Sequence, residues 1–421
     1  MHSGQRSSDG YYALWYRIAL LNLSLVAGIG LLLRYKILAS IPWLNHKYFL
    51  HGHSHFAFAG WISLALMAFI LEKSEHAGNG VPRSLGKGLL VAQLLSAYGM
   101  LFTFPFQGYA PASISFSTLS ILVSYFFVIR IWRYTNMVIW GKAGSLAVRS
   151  SLVFLALSSL GAFWLAGLMA SHSGSQPLYF SALYFFLHFQ YNGWFFFGIV
   201  AIFISAFLDK DHGEHPLVVH GIRWLCMACI PAVLLSSLWM KVPGWVLFIA
   251  VISAIMQLVG VGYLTFPVRA AIRRTRSAFT HVEKWLLSLS LIALLLRVAL
   301  QALSTIPALG KFAFAYRPVV IGYLHLILLG CISMFLIAFF FRRGILPHRG
   351  GLSRAALAFF IAGFLGTEGT LMVQGFGYIG WVFIPYTNEF LFASACLLFV
   401  GALLLFLSSI LPANSDLPAS G

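Results

Sequence analysis

Charge is what this sequence has least of. Lys, Arg, Asp and Glu make up only 9% of its 421 residues, against roughly 25% in soluble domains. Acidic residues are scarcer still, 10 against 27 Lys and Arg, while 60% of the chain is hydrophobic and 16% aromatic. So little charge excludes an ordinary soluble surface and points to an all-α polytopic membrane protein in a lipid bilayer. The formal net charge of +17 would suggest nucleic acid in a soluble protein. Here the basic residues fall in short gaps between apolar runs, as cytoplasmic loops do, so no nucleic-acid partner is expected. Cysteine is sparse, and its four copies follow no disulfide or zinc spacing. Cys226 and Cys229 lie inside an apolar run, where a thiol acts as a small hydrophobe. Gly-rich phosphate loops, nucleophile elbows and Ca²⁺ loops are missing too, which removes the motif-borne hydrolase and nucleotide-binding classes.

What is present is about twelve apolar runs long enough to cross a bilayer, near residues 12–33, 49–71, 89–106, 113–132, 152–170, 178–208, 222–240, 245–266, 285–304, 319–341, 355–375 and 390–410. They read as one transmembrane domain over 1–421. The first run is long, ends in Leu33-Arg34-Tyr35-Lys36 and lacks a small-residue cleavage site, so it is expected to be retained. Basic gaps alternate with poor ones. Lys73 and Arg83, then Arg130, Arg133, Lys142 and Arg149, then Lys210 and Arg223, then Arg269, Arg273, Arg274, Arg276 and Lys284, and last Arg342, Arg343, Arg349 and Arg354 mark one side. The gaps at 105–111 and 171–177, Lys241 alone, and Lys311 with Arg317 mark the other. By the positive-inside rule both termini are cytoplasmic and even-numbered spans run from outside to inside.

That orientation gives each histidine a depth. His51, His53 and His55 enter the second span in His51-Gly-His-Ser-His55-Phe-Ala-Phe-Ala-Gly-Trp61. Ionisable side chains are expensive in hydrocarbon, so three in five residues point to function, imidazole being a ligand for haem iron or copper. Pro177 and Pro318 stand where proline starts a helix. From these points His188 lies roughly 16 Å into span six and His325 about 10 Å into span ten, with His53 and His55 some 12 to 15 Å beyond Asn45. Three even-numbered spans thus carry imidazoles at nearly one outer level. His2, His76, His212, His215, His220, His281 and His348 fall in cytoplasmic gaps or the terminal segment, and His46 and His172 outside. Arg297 in span nine and Glu368 in span eleven share the outer half and could pair, either to fix helix packing or beside a cofactor. Thr367, Thr370 and Gln374 recur at helical spacing, as helix–helix hydrogen bonding requires. Gln190, Tyr191 and Asn192 make a polar site beside His188.

Twelve spans with outer-half histidines on the second, sixth and tenth resemble the catalytic subunit of the haem–copper oxidase superfamily, in particular its cbb3-type oxidase and nitric oxide reductase branch. The likeness covers span count and topology along most of the chain and short stretches of sequence. His53 with Gly60-Trp61 is similar to the family's second-span ligand of the low-spin haem. Tyr323-Leu324-His325 resembles its tenth-span His-x-His, with the second histidine kept and Tyr323 in place of the first. His188 resembles the sixth-span copper ligand in position. The resemblance implies a haem b held by His53 and His325, with His51 or His55 as alternative ligands if the register differs. It also implies Arg297, Arg317 and Lys311 near the propionates, a quinone or cytochrome electron donor, partner membrane subunits and a bacterial cytoplasmic membrane. The family's seventh span supplies a His-His pair to copper, whereas 222–240 holds no histidine, so a complete copper centre and oxygen reduction are not expected. His188 remains a candidate second metal site, and Tyr323 could ligate iron through its phenolate. The histidine-rich, twelve-span character is also similar to the NnrS family of haem- and copper-containing membrane proteins linked to nitric oxide stress. From a different class, a transporter or permease would use the same histidines, Arg297 and Glu368 to line a substrate or proton pathway.

Overall fold

Hydrocarbon offers no water to a backbone N–H or C=O, so each apolar run must satisfy its own peptide groups, and here every one does so as a helix. The computed structural model describes residues 2–75, 80–171, 174–274, 279–348 and 350–411. His76, His172, Arg276 and Arg349, read above as gap residues, lie outside the described residues. Among these there is no strand, and eleven helices are long and apolar enough to cross a membrane, or twelve if one bent pair counts as a span. In chain order they are α1 (Gly10–Leu38), α2 (His46–Glu75), α3 (Arg83–Gln107), α4 (Pro111–Tyr134), α5 (Met137–Ala170), α6 (Gln176–Ala206), the bent pair α7 (Pro216–Cys229 with Pro231–Ser237), α8 (Gly244–Thr265), α9 (His281–Leu303), α10 (Arg317–Arg342), α11 (Gly351–Gly380) and α12 (Thr387–Ile410).

Their ends follow from local chemistry. Proline lacks the N–H that a first turn leaves unbonded, and α6 and α10 begin at Gln176-Pro177 and Arg317-Pro318. The α2 helix starts ahead of its apolar run because the Asn45 side chain accepts the N–H groups of Lys47 and Tyr48 at 3.1 and 3.2 Å. Inside α7, Pro231 can give no N–H to the preceding turn, and the two pieces bend by 48°.

The chain divides into two compact units, the first comprising Met1–Glu72, Arg83–Val123 and Leu336–Gly421 and the second Lys73–Pro82 and Ser124–Phe335. In the first, α11 lies along α12, α12 along α1, and α2 packs on α1 and α3. Phe56, Ala97, Met100 and Phe104 form a buried cluster there with Val26 of α1. The α11–α12 contact is made backbone to backbone. A Cβ on Gly363 would meet the Leu398 nitrogen at 2.5 Å, and one on Gly401 the Phe360 nitrogen at 2.5 Å, the close approach that small residues permit between membrane helices. In the second unit α5 packs on α6, α7 on α8, and α9 on the middle of α10.

Burial separates three helices from the rest. The most apolar stretches of α2, α6 and α10 are 83%, 78% and 78% buried, against 17% to 44% elsewhere. Those three are the spans that carry His51, His53 and His55, then His188, then His325.

Candidate functional site

Each of these helices changes pitch just after a histidine. Regular α-helix gives way to π-helix at Ala57–Ser63, Phe189–Phe195 and Leu326–Ser333. A π turn holds one more residue than an α turn, re-aims the side chains around it, and is frequent at functional sites. His55 precedes Gly60 by five residues, His188 precedes Gly193 by five and His325 precedes Gly330 by five. Hydropathy did not expose this recurrence, but the bare His-x4-Gly spacing would have.

The widened turns account for several of the buried polar side chains. A carbonyl displaced from its usual i+4 donor must find another in a dry interior. Asn22 of α1 donates to the Gly60 carbonyl at 2.6 Å and Gln93 of α3 to that of Ala59 at 3.0 Å. Ser290 of α9 donates to the Cys331 carbonyl at 2.7 Å, and the Cys229 thiol lies 3.7 Å from that of Asn192. The Tyr98 hydroxyl donates in turn to Asn22 Oδ1 at 2.9 Å.

The α2 histidines face two ways. His51 and His55, one turn apart, lie against Phe104 and Tyr109, with the His55 ring stacked on Phe104 at 4.4 Å and its Nε2 3.1 Å from the Tyr109 hydroxyl. His51 Nε2 has no hydrogen-bond partner among the described residues. His53 turns to α1 instead. Its Nδ1 is 3.0 Å from the Val26 carbonyl, and its ring lies so close to Gly30 that a Cβ there would meet Cε1 at 3.2 Å. A carbonyl only accepts, so Nδ1 carries the proton.

His188 is fully enclosed, and its tautomer follows from a chain of obligations. Arg297 can only donate, and its Nη1 bonds Asn192 Oδ1. The other end of that amide, Nδ2, therefore faces His188 Nδ1, at 3.0 Å, which must accept. The ring proton is then on Nε2, which donates to the Cys229 carbonyl at 2.8 Å. Both imidazole nitrogens are thus taken up by protein partners. These partners are an amide and a backbone carbonyl, which no ligand spacing in the sequence would announce.

His325 is half-buried at the end of the α-helical part of α10. Tyr323, two residues before it, has a buried hydroxyl with no hydrogen-bond partner among the described residues, and its ring meets Tyr191 edge-on at 6.4 Å. Lys311, on the short helix Pro307–Ala315, and Arg317 are exposed, whereas Arg297 is 2% exposed and lies over the Phe196 ring. Arg297 belongs to the second unit and Glu368 to the first. On α11 the Oε1 of Glu368 has no hydrogen-bond partner among the described residues, while Gln374 ties α11 to α12 through Thr387 at 2.8 Å. No group of three or more His, Cys, Asp or Glu among the described residues could hold a metal ion by itself.

One charged cluster went unread. Glu72, in the last turn of α2, is 5% exposed and accepts from the Tyr16 hydroxyl at 2.6 Å and from Arg343. With Arg17 and Arg342 these residues line a cavity of about 440 Å³ in the first unit. The only sign of it in the sequence is a carboxylate at the edge of hydrocarbon, at Leu71-Glu72-Lys73. No family model matches the chain, and no curated protein matches it.

Proposed function

We propose that this multi-pass helical membrane protein binds a b-type haem, which His53 and His325 would hold, and serves in electron transfer or a related haem or nitric oxide role. The observation that carries the reading is the seating of His53. Its Nδ1–H is spent on the Val26 carbonyl, which leaves Nε2 as the nitrogen with a free ring lone pair in that tautomer. Imidazoles that ligate metals are oriented in this way, the second nitrogen's bond fixing the tautomer and raising the basicity of the first. His51 and His55 lack that anchor and lie against Phe104 and Tyr109.

The haem would supply one-electron chemistry, and His53 and His325 are the residues that would hold it. The chain's own residues bind and orient. The Val26 carbonyl sets the His53 ring, and His325 supplies the second imidazole of the resemblance. Arg317, eight residues before His325 on α10 and so about 12 Å along the helix axis, offers with Lys311 the cationic groups that propionates need on leaving an apolar pocket. Copper is not assigned to His188, whose ring nitrogens both have partners. An electron donor of quinone or cytochrome type and partner membrane subunits belong to the same reading. The test is the haem content and reduced-minus-oxidised spectrum of protein purified from haem-replete cells. One b-type haem per chain, lost in His53→Leu and retained in His51→Leu, is expected; a colourless, folded protein overturns the reading.

A permease is favoured by one observation, the break in α7 beside the buried Arg297, since transporters build substrate sites from discontinuous helices. The same spectrum separates the two, because a permease has no use for haem.

A further inference from the structure

Arg297 is a guanidinium in the interior of the second unit, and its partners there are neutral. Its Nη1 bonds the Asn192 amide oxygen and its Cζ stands 5.1 Å from the centre of the Phe196 ring. Its Nε has no hydrogen-bond partner among the described residues. Gln257, reaching in from α8 and only 4% exposed, leaves its Nε2 unpartnered as well. Both side chains line one void, walled by Phe196, Phe197, Leu225 and Ala232. The centre of a water-sized sphere has about 10 Å³ to move in there, room for a single small ligand.

The polar atoms around that void are consumed selectively. His188 and Asn192 spend their groups on each other, on Arg297 and on Cys229, so the groups left over are N–H donors. A guanidinium does not shed its proton in a protein, so burial cannot be relieved by neutralisation. An isolated buried charge costs several kcal/mol even after relaxation. A water molecule would accept both N–H groups but leave the charge unmatched. We infer that the void is a binding site for one small monovalent anion of chloride size, held by Arg297 Nε–H and the Gln257 amide. Sulfate carries two charges, and Arg297 is the one cation among the described residues that line the void. The site does not rest on the haem reading, since His53 and His325 take no part in it.

The test uses full-length protein in detergent, melted in sodium gluconate and in sodium chloride or bromide at equal ionic strength, together with a bromide-soaked crystal. Halide raises the melting temperature by a few degrees and saturates, sulfate does not, and an anomalous bromide peak lies within hydrogen-bond reach of Arg297 Nε and Gln257 Nε2. Gln257→Leu removes one of the two proposed donors and raises the half-saturating halide concentration about tenfold. Arg297→Gln removes the halide response, and if that variant does not fold, the Gln257→Leu shift decides. Equal melting in gluconate and halide, a half-saturation unchanged by Gln257→Leu, or a void holding water with no bromide peak overturns the inference.

Discussion

Single polar side chains in this protein answer to specific backbone atoms, and their removal should be felt in proportion. Asn22 bonds the Gly60 carbonyl in the π turn of α2 and receives the Tyr98 hydroxyl. Asn22→Ala strands both in an apolar interior and should lower stability by about 1–3 kcal/mol. Denaturant melts in detergent, with Ser24→Ala on the same helix as a control that loses only a local bond to Leu21, will read the difference. Glu72 offers a second contrast. Glu72→Gln leaves Arg343 without its carboxylate and should cost about 1–3 kcal/mol, whereas Tyr16→Phe keeps the ion pair and should cost about 1 kcal/mol. Equal losses in the two variants would mean that the carboxylate matters only as a hydrogen-bond acceptor.

Close helix packing here depends on atoms that glycine lacks. Gly363→Leu and Gly401→Val drive a side chain into backbone at 2.5 Å and should force α11 from α12, with losses of about 3 kcal/mol or complete failure to fold. Gly369, on the same α11, has nothing within 4 Å of where a Cβ would stand, and Gly369→Ala should be neutral or stabilising by up to about 1 kcal/mol. The same helices show what a sequence reveals and what it hides. The count of spans and the starts at Pro177 and Pro318 were legible, because apolar length and a missing N–H act locally. The bend at Pro231 was not, since hydropathy runs unbroken from Ile222 to Met240 while the proline takes away a peptide bond's donor. The π turns were hidden for a related reason. An inserted residue leaves apolar composition untouched, although the repeated interval from His55, His188 and His325 to a glycine stood in plain view. The unbroken helix from Pro177 to His188 was legible, but the partners of His188 were not, because a Cys229 carbonyl carries no side-chain signature.

For the molecule as a whole, alternating basic gaps imply a single orientation. If both termini are cytoplasmic, as the positive-inside rule leads one to expect, reporters fused after α3 and α5 should register outside and those after α4 and α6 inside. A reversal would move the outer-half histidines to the inner half and undo their match to the resembled oxidases, leaving His53 and its carbonyl anchor unaltered. The central proposal is that His53 and His325 would each ligate a haem iron, and low-temperature EPR of the oxidised, purified protein addresses it most directly. Two axial imidazoles give a low-spin ferric signal, which should turn high-spin or vanish in both His53→Ala and His325→Ala while surviving in His51→Ala and His188→Gln. A low-spin signal that persists when either His53 or His325 is replaced would contradict that ligation.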